Sequence, residues 1–161
     1  MDKHFLLMRD VITRYHPAFK KSKELCQYGL GNANIFNVER LVEESLAHIG
    51  GYKFVDEDGY DFTDYSDSKT TSINLKTRAG SIGSVENKVG ALRITAYNPF
   101  KQGLDYFFVP KRELARIKKP CYGVNDHKER VLFTYSKVKD NDYGYFEDYR
   151  LGDFKSLAKA A

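Results

Sequence analysis

Acidic side chains are concentrated in one short stretch of this sequence, and a lysine follows directly after them. The stretch covers residues 56–67. Residues i and i+2 of a β-strand project from the same face, so Asp67 and Lys69 are expected to lie side by side. Carboxylates can hold a divalent metal ion that polarises a phosphate and activates water, and a nearby cation can orient that water. The spacing therefore favours metal-dependent hydrolysis of a phosphodiester. The acids of the stretch are Asp56, Glu57, Asp58, Asp61, Asp64 and Asp67.

Several acids precede Asp67, so this pattern leaves open which of them is the first metal ligand. Asp58, Asp61 and Asp64 are all candidates because a hairpin before the strand would bring an upstream acid next to Asp67. Glu43 lies off the apolar face of a predicted helix and is a further candidate for the same metal site.

A second acid–lysine pair occurs at Glu86 and Lys88, with Asp67 as its upstream acid. The spacing of this pair is suitable, but glycines at positions 80, 83 and 90 predict a loop around it. A loop holds catalytic groups less firmly than a strand does, so Asp67 and Lys69 are the preferred pair.

The order Asp58 and then Asp67-Ser68-Lys69 resembles the PD-(D/E)xK nuclease superfamily, over about residues 35–117. The surrounding elements are similar to those of small type II restriction endonucleases that cut with blunt ends. The sequence lacks the proline of the family's name and has Asp where Glu is more frequent. The resemblance implies a Mg²⁺-dependent endonuclease, with Mn²⁺ as a substitute, that cuts double-stranded DNA and leaves a 5′-phosphate.

The same resemblance implies roles for individual residues. Asp58 (or Asp61 or Asp64) and Asp67 would bind the metal ion, and Lys69 would position the attacking water. One active site in each chain must cut two strands, which favours a homodimer on a two-fold DNA site. The expected DNA contacts are those whose side chains suit phosphates, guanine or adenine edges, namely Lys76, Arg78, Asn87 and Lys88.

The hydrophobic pattern predicts helices first and then a mixed β-sheet flanked by helices, an α/β (α+β) fold of restriction-endonuclease type. Apolar spacing predicts helices over residues 3–16, 17–28 and 34–48. Strands are predicted over 52–55, 67–75, 91–98 and 104–110, followed by a short helix and a hairpin formed by 130–137 and 143–151. Residues 76–90 and 118–129 are predicted as loops. The chain is expected to end in a helix capped by Asp153.

Composition limits the class of protein. The 161 residues predict one domain, with a helical part at 1–34 as the expected dimer contact, a catalytic core at 35–117 and a hairpin and helix at 118–161. No apolar run approaches the length of a membrane span, and two cysteines give no disulfide framework, so a cytoplasmic location is expected.

Two alternatives use no catalysis. The net charge of +4 permits a polyanionic partner without requiring one. A nucleic-acid-binding module using the basic loops would bind without Mg²⁺, whereas a phage or plasmid accessory protein would show no salt-dependent DNA affinity.

Overall fold

The protein is an α+β fold with a four-stranded mixed sheet flanked by helices. A computed structural model describes residues 6, 10, 38–51, 53–57, 60–85, 90–120, 129–135 and 142–161. The helices are α1 (Val38–Gly50), α2 (Lys111–Ile117), a 3₁₀ helix (Gly144–Tyr149) and α3 (Phe154–Lys159). The strands are β1 (Phe54–Glu57), β2 (Tyr60–Phe62), β3 (Ser66–Ser72), β4 (Ala79–Val85), β5 (Ala91–Asn98), β6 (Gly103–Pro110), β7 (Lys118–Pro120), β8 (Glu129–Thr134) and β9 (Arg150–Leu151).

Strand β3 forms an edge of the central sheet, whose order is β3-β5-β6-β9. It runs parallel to β5, with Asp67 opposite Leu92 and Lys69 opposite Ile94, while β6 is antiparallel to both of its neighbours. The strands β4, β8 and β7 form a separate antiparallel sheet, and β1 and β2 pair as an antiparallel ribbon. This topology fixes the predicted acid–lysine pair on a hydrogen-bonded strand.

Each face of the central sheet has its own apolar core. On the face that carries Asp67 and Lys69, Ile94 and Phe107 pack with Leu114 and with residues of the second sheet. On the opposite face, helices α1 and α3 cover the sheet through Val42, Leu46, Phe154 and Leu157, which pack with Phe62 and Tyr106. Burial on both faces makes the central sheet a rigid support.

The predicted helices after residue 34 are confirmed. Helix α1 ends at the expected glycine pair, where Gly51 adopts a left-handed conformation with φ of 75°. Asp153 caps α3 by accepting a hydrogen bond of 2.6 Å from the Ser156 N–H. Of the two helices predicted for residues 3–28, only Leu6 and Asp10 are described, and both are helical. None of the described helices has the length and hydrophobicity needed to cross a membrane.

Three predicted elements are wrong. Residues 118–120 form strand β7 rather than the start of a loop, because they pair with strand β8. Residues 79–85 form strand β4 rather than part of a loop, because pairing with the distant strand β8 supplies hydrogen bonds that its glycine-rich sequence does not signal. Residues 144–149 form a 3₁₀ helix rather than a strand of a hairpin. The buried Tyr143 and Phe146 and the partly buried Tyr149 recur every third residue, which is the period of a 3₁₀ helix.

Candidate metal centre

Two carboxyl groups meet at the start of strand β3. Asp67, the second residue of β3, is only 3% exposed, and its carboxyl hydrogen-bonds to that of Asp61 on β2. The neighbouring Asp61 carboxyl raises the pKa of Asp67, because two ionised carboxylates in contact repel each other. Asp61 is held in place because its Oδ2 also accepts a hydrogen bond of 2.7 Å from the Ser68 N–H. The fold thus holds two oxygen-rich groups against each other.

Lys69 completes this cluster, as the spacing predicts. Its Nζ lies 2.9 Å from Asp67 Oδ2, and its side chain is 30% exposed whereas that of Asp67 is 5% exposed. The cluster therefore has a buried carboxyl group at its base and a cation towards solvent. A negatively charged substrate can approach from the lysine side.

The pKa of Asp67 reflects these surroundings. Burial raises it, the hydrogen bond to Asp61 raises it further, and the Lys69 ammonium lowers it, which leaves the pKa at about 7. A carboxyl group whose pKa lies three units above its ordinary value is held in its ionised form at a cost in folding free energy. Such groups are enriched at functional sites because a cation ligand removes that cost.

Asp64, a sequence candidate for a metal ligand beside Asp67, contacts Ser66 and Arg93 instead. Its Oδ1 accepts hydrogen bonds from the Ser66 N–H (3.0 Å) and hydroxyl (2.5 Å), and its Oδ2 lies 2.8 Å from Arg93 Nη2. Partial burial alone would raise the pKa of Asp64, but the hydrogen bonds from Ser66 and Arg93 lower it below its ordinary value. Asp64 therefore stabilises the turn before β3 through its bonds to Ser66 and Arg93.

Arg93 ties this turn to the end of the chain. The arginine lies on β5, is 1% exposed, and donates from Nε to Ser66 Oγ at 3.0 Å. It also donates to the carbonyls of Leu157 and Ala160, at the C-terminal end of α3. Sequence analysis missed this positioning residue, although a charged side chain within the apolar strand 91–98 was the available signal.

The remaining predicted site residues lie on other elements or outside the described residues. Glu43 is half-buried on α1, and Lys76 is exposed in the turn after β3. Arg78 stacks over the ring of Phe100 at 4.0 Å, and its Nε donates to the Tyr135 carbonyl at 2.8 Å. Asp58, Glu86, Asn87 and Lys88 lie outside the described residues.

Two acidic side chains, Asp61 and Asp67, meet in this part of the described structure. Among the described residues, no group of three or more His, Cys, Asp or Glu side chains is arranged to hold a metal ion. Comparison with known protein families finds no matching family, and comparison with curated protein sequences finds no match either.

Proposed function

We propose that this chain is a Mg²⁺-dependent endonuclease that hydrolyses phosphodiester bonds in double-stranded DNA, acting as a homodimer of restriction-endonuclease type. The observation that carries the proposal is the Asp61–Asp67 carboxyl pair with the Lys69 ammonium 2.9 Å from Asp67. The mixed sheet with helices on its faces agrees with this class of fold.

The chemistry of the carboxyl pair fits a hard divalent cation. Two carboxylates in contact repel each other unless a proton or a cation lies between them. Mg²⁺ is bound in proteins by one or two carboxylates together with water and substrate phosphate oxygens, so Asp61 and Asp67 suffice as protein ligands. Asp58 is the sequence candidate for a third. When bound, the ion supplies a polarised phosphate and a more acidic water.

The residues of the chain then perform the remaining tasks. Asp61 and Asp67 would hold the ion; the Ser68 N–H keeps the Asp61 carboxylate in place, and strand β3 carries Asp67. Lys69 orients the attacking water and balances the negative charge that develops on the phosphate. The water oxygen forms the new P–O bond as the water gives up a proton to solvent, the bond to the 3′ oxygen breaks as that oxygen takes a proton from solvent, and the product carries a 5′-phosphate.

Cleavage assays with matched variants test this proposal. Purified protein is incubated with phage and plasmid DNA with Mg²⁺, with Mn²⁺ or with EDTA. We expect metal-dependent cleavage that falls by at least about 10³-fold in Asp67→Asn, Asp61→Asn and Lys69→Met, as expected when a group is removed that acts on the transition state.

Asp64→Asn is the matched control, because it removes an acid from the same turn whose partners are Ser66 and Arg93. This variant is expected to retain cleavage at a temperature where circular dichroism shows that it is folded. Discrete fragments support a restriction-type enzyme, and a smear supports a nuclease of lower specificity. DNA that stays intact with every metal overturns the proposal, and a gel shift then separates a binding module from a protein with no DNA affinity.

A further inference from the structure

An exposed aromatic side chain stands beside the carboxyl pair in an unusual backbone conformation. Tyr65 directly precedes β3, its side chain is 58% exposed, and its φ is 64°. Non-glycine residues rarely adopt this left-handed region, and a bulky residue found there is held by its surroundings at a cost in free energy. Such residues cluster at functional sites.

The backbone around Tyr65 enforces this conformation. Its N–H donates to the Phe62 carbonyl at 2.9 Å, and its carbonyl accepts a hydrogen bond of 2.6 Å from the Gly90 N–H. A Cβ at Gly90 would lie 3.1 Å from both the Cβ and the carbonyl oxygen of Tyr65, so the close approach of the two segments favours glycine there. The conformation is therefore built into the junction between β3 and β5.

Tyr65 is close to the proposed catalytic cluster along the chain. Tyr60 and Tyr65 contact each other edge to face, with ring centroids 5.1 Å apart. Tyr60 directly precedes Asp61 on the chain. Tyr65 lies two residues before Asp67, so the Cα atoms of Tyr65 and Asp67 are at most about 7 Å apart. The aromatic pair and the carboxyl pair thus occupy neighbouring positions on the same two segments.

We propose that Tyr65 is a stacking platform for an unpaired nucleobase adjacent to the phosphate at Asp67 and Lys69. This inference rests on the proposed function, because it takes a nucleic-acid strand as the substrate of that site, and it requires the base beside the bound phosphate to leave its pair in the duplex. A phosphate bound there brings its own base within reach of an exposed ring, and the contact with Tyr60 restricts the motion of that ring. Every base has a π-face, so such stacking tolerates any sequence.

A comparison of two strands of equal charge tests stacking separately from electrostatic attraction. The probes are a fluorescently labelled oligothymidylate and an abasic strand with the same number of phosphates. Binding is measured by anisotropy with the Asp67→Asn variant and with the wild-type protein, both in EDTA, so that neither strand is cut. We expect roughly tenfold tighter binding of the strand with bases, from one stacked base.

Variants of Tyr65 identify the group responsible. Tyr65→Phe keeps the ring and is expected to keep the preference for bases, whereas Tyr65→Ala binds both strands equally. Tyr65→Gly also loses the preference while relieving the positive φ. Its matched control is Gln102→Gly, since Gln102 is exposed in a turn with φ of 48° and lies away from the carboxyl pair. Both glycine variants shift the melting temperature in the same direction, but only Tyr65→Gly loses the preference for bases.

The outcomes separate this inference from the proposed function. Equal binding of both strands by the wild-type protein overturns the stacking role even where Mg²⁺-dependent cleavage is observed. A preference that persists in Tyr65→Ala also overturns it. A preference that depends on Tyr65 in a protein that cuts no DNA supports the platform and rejects the nuclease.

Discussion

Two buried aspartates of the central sheet are held in opposite ways. Asp67 on β3 and Asp105 on β6 are each 3% exposed. Asp105 Oδ1 accepts from Lys101 and Arg150, and its Oδ2 accepts from Tyr143 and Asn98. Asp67 instead meets the carboxyl group of Asp61 and a single lysine.

The difference shows which buried carboxyl group has its desolvation compensated by neighbouring donors and which has less compensation among the described residues. Four donors compensate the desolvation of the Asp105 carboxylate, so the hydrogen bonds around Asp105 stabilise the fold. The Asp105 carboxylate, together with burial, also raises the pKa of Tyr143 above its ordinary value, which keeps the phenol in the protonated form that donates. Asp67 lacks such compensation, and a cation ligand would supply it.

The largest effect on stability is expected at Asp105. Asp105→Ala leaves the buried Asn98 and Tyr143 and the cations Lys101 and Arg150 without their shared acceptor. We expect the free energy of unfolding to fall by about 3–5 kcal/mol, as for other buried charge pairs that lose one partner. Urea denaturation measures this change. A fall below about 1 kcal/mol would contradict the structural role given to this network.

Mg²⁺ is expected to stabilise the protein through Asp67 and Asp61. At a concentration one hundred times its dissociation constant, a ligand that binds only the folded state adds about 2.7 kcal/mol. Thermal unfolding at pH 8 in EDTA and in a Mg²⁺ series measures the effect, which should vanish in Asp67→Asn and persist in Asp64→Asn. Equal stabilisation of Asp67→Asn would place the bound ion elsewhere.

The stability of the metal-free protein should depend on pH through Asp67. Its folded pKa of about 7 lies above the ordinary value of 3.8, so the folded state retains a proton that the unfolded state has lost. This contribution is fully present below about pH 4 and is lost as the pH rises to 7. Asp67→Asn does not titrate, so its stability relative to wild type should rise by roughly 2–3 kcal/mol between pH 5 and pH 8 in EDTA.

Parallel denaturation curves of the two proteins at both pH values provide that measurement. A constant difference between wild type and Asp67→Asn would show that Asp67 does not titrate in this range.

The smallest effect is expected for an exposed ion pair, which provides a baseline for the comparison. Arg40 Nε and Glu44 Oε1 lie 2.8 Å apart on α1, with side chains 41% and 58% exposed. Solvent screening leaves such a pair little net energy, so Glu44→Gln should shift the melting temperature by less than about 2 °C. A larger shift in a thermal melt would mean that exposed charges, and not only buried ones, determine stability here.

The elements that depend on local pattern were predictable. The apolar stripe and the glycine pair predict α1, and the Asp153 cap predicts α3. The alternation at β3 places Asp67 and Lys69 side by side, as the ion pair confirms. By contrast, β4 depends on its partner β8 and the 3₁₀ helix depends on burying its aromatic residues, so neither is visible in a local window.

The sequence by itself determined the acid–lysine pair, because strand geometry fixes the relation between residues i and i+2. It left the partner of Asp67 open among several acids of similar chemistry. Tertiary structure decided between two of them: β2 brings Asp61 onto Asp67, while Arg93, distant by 29 residues, engages Asp64. The physical reason is that the role of a carboxylate depends on the groups that folding brings into contact with it, and those groups come from other parts of the chain.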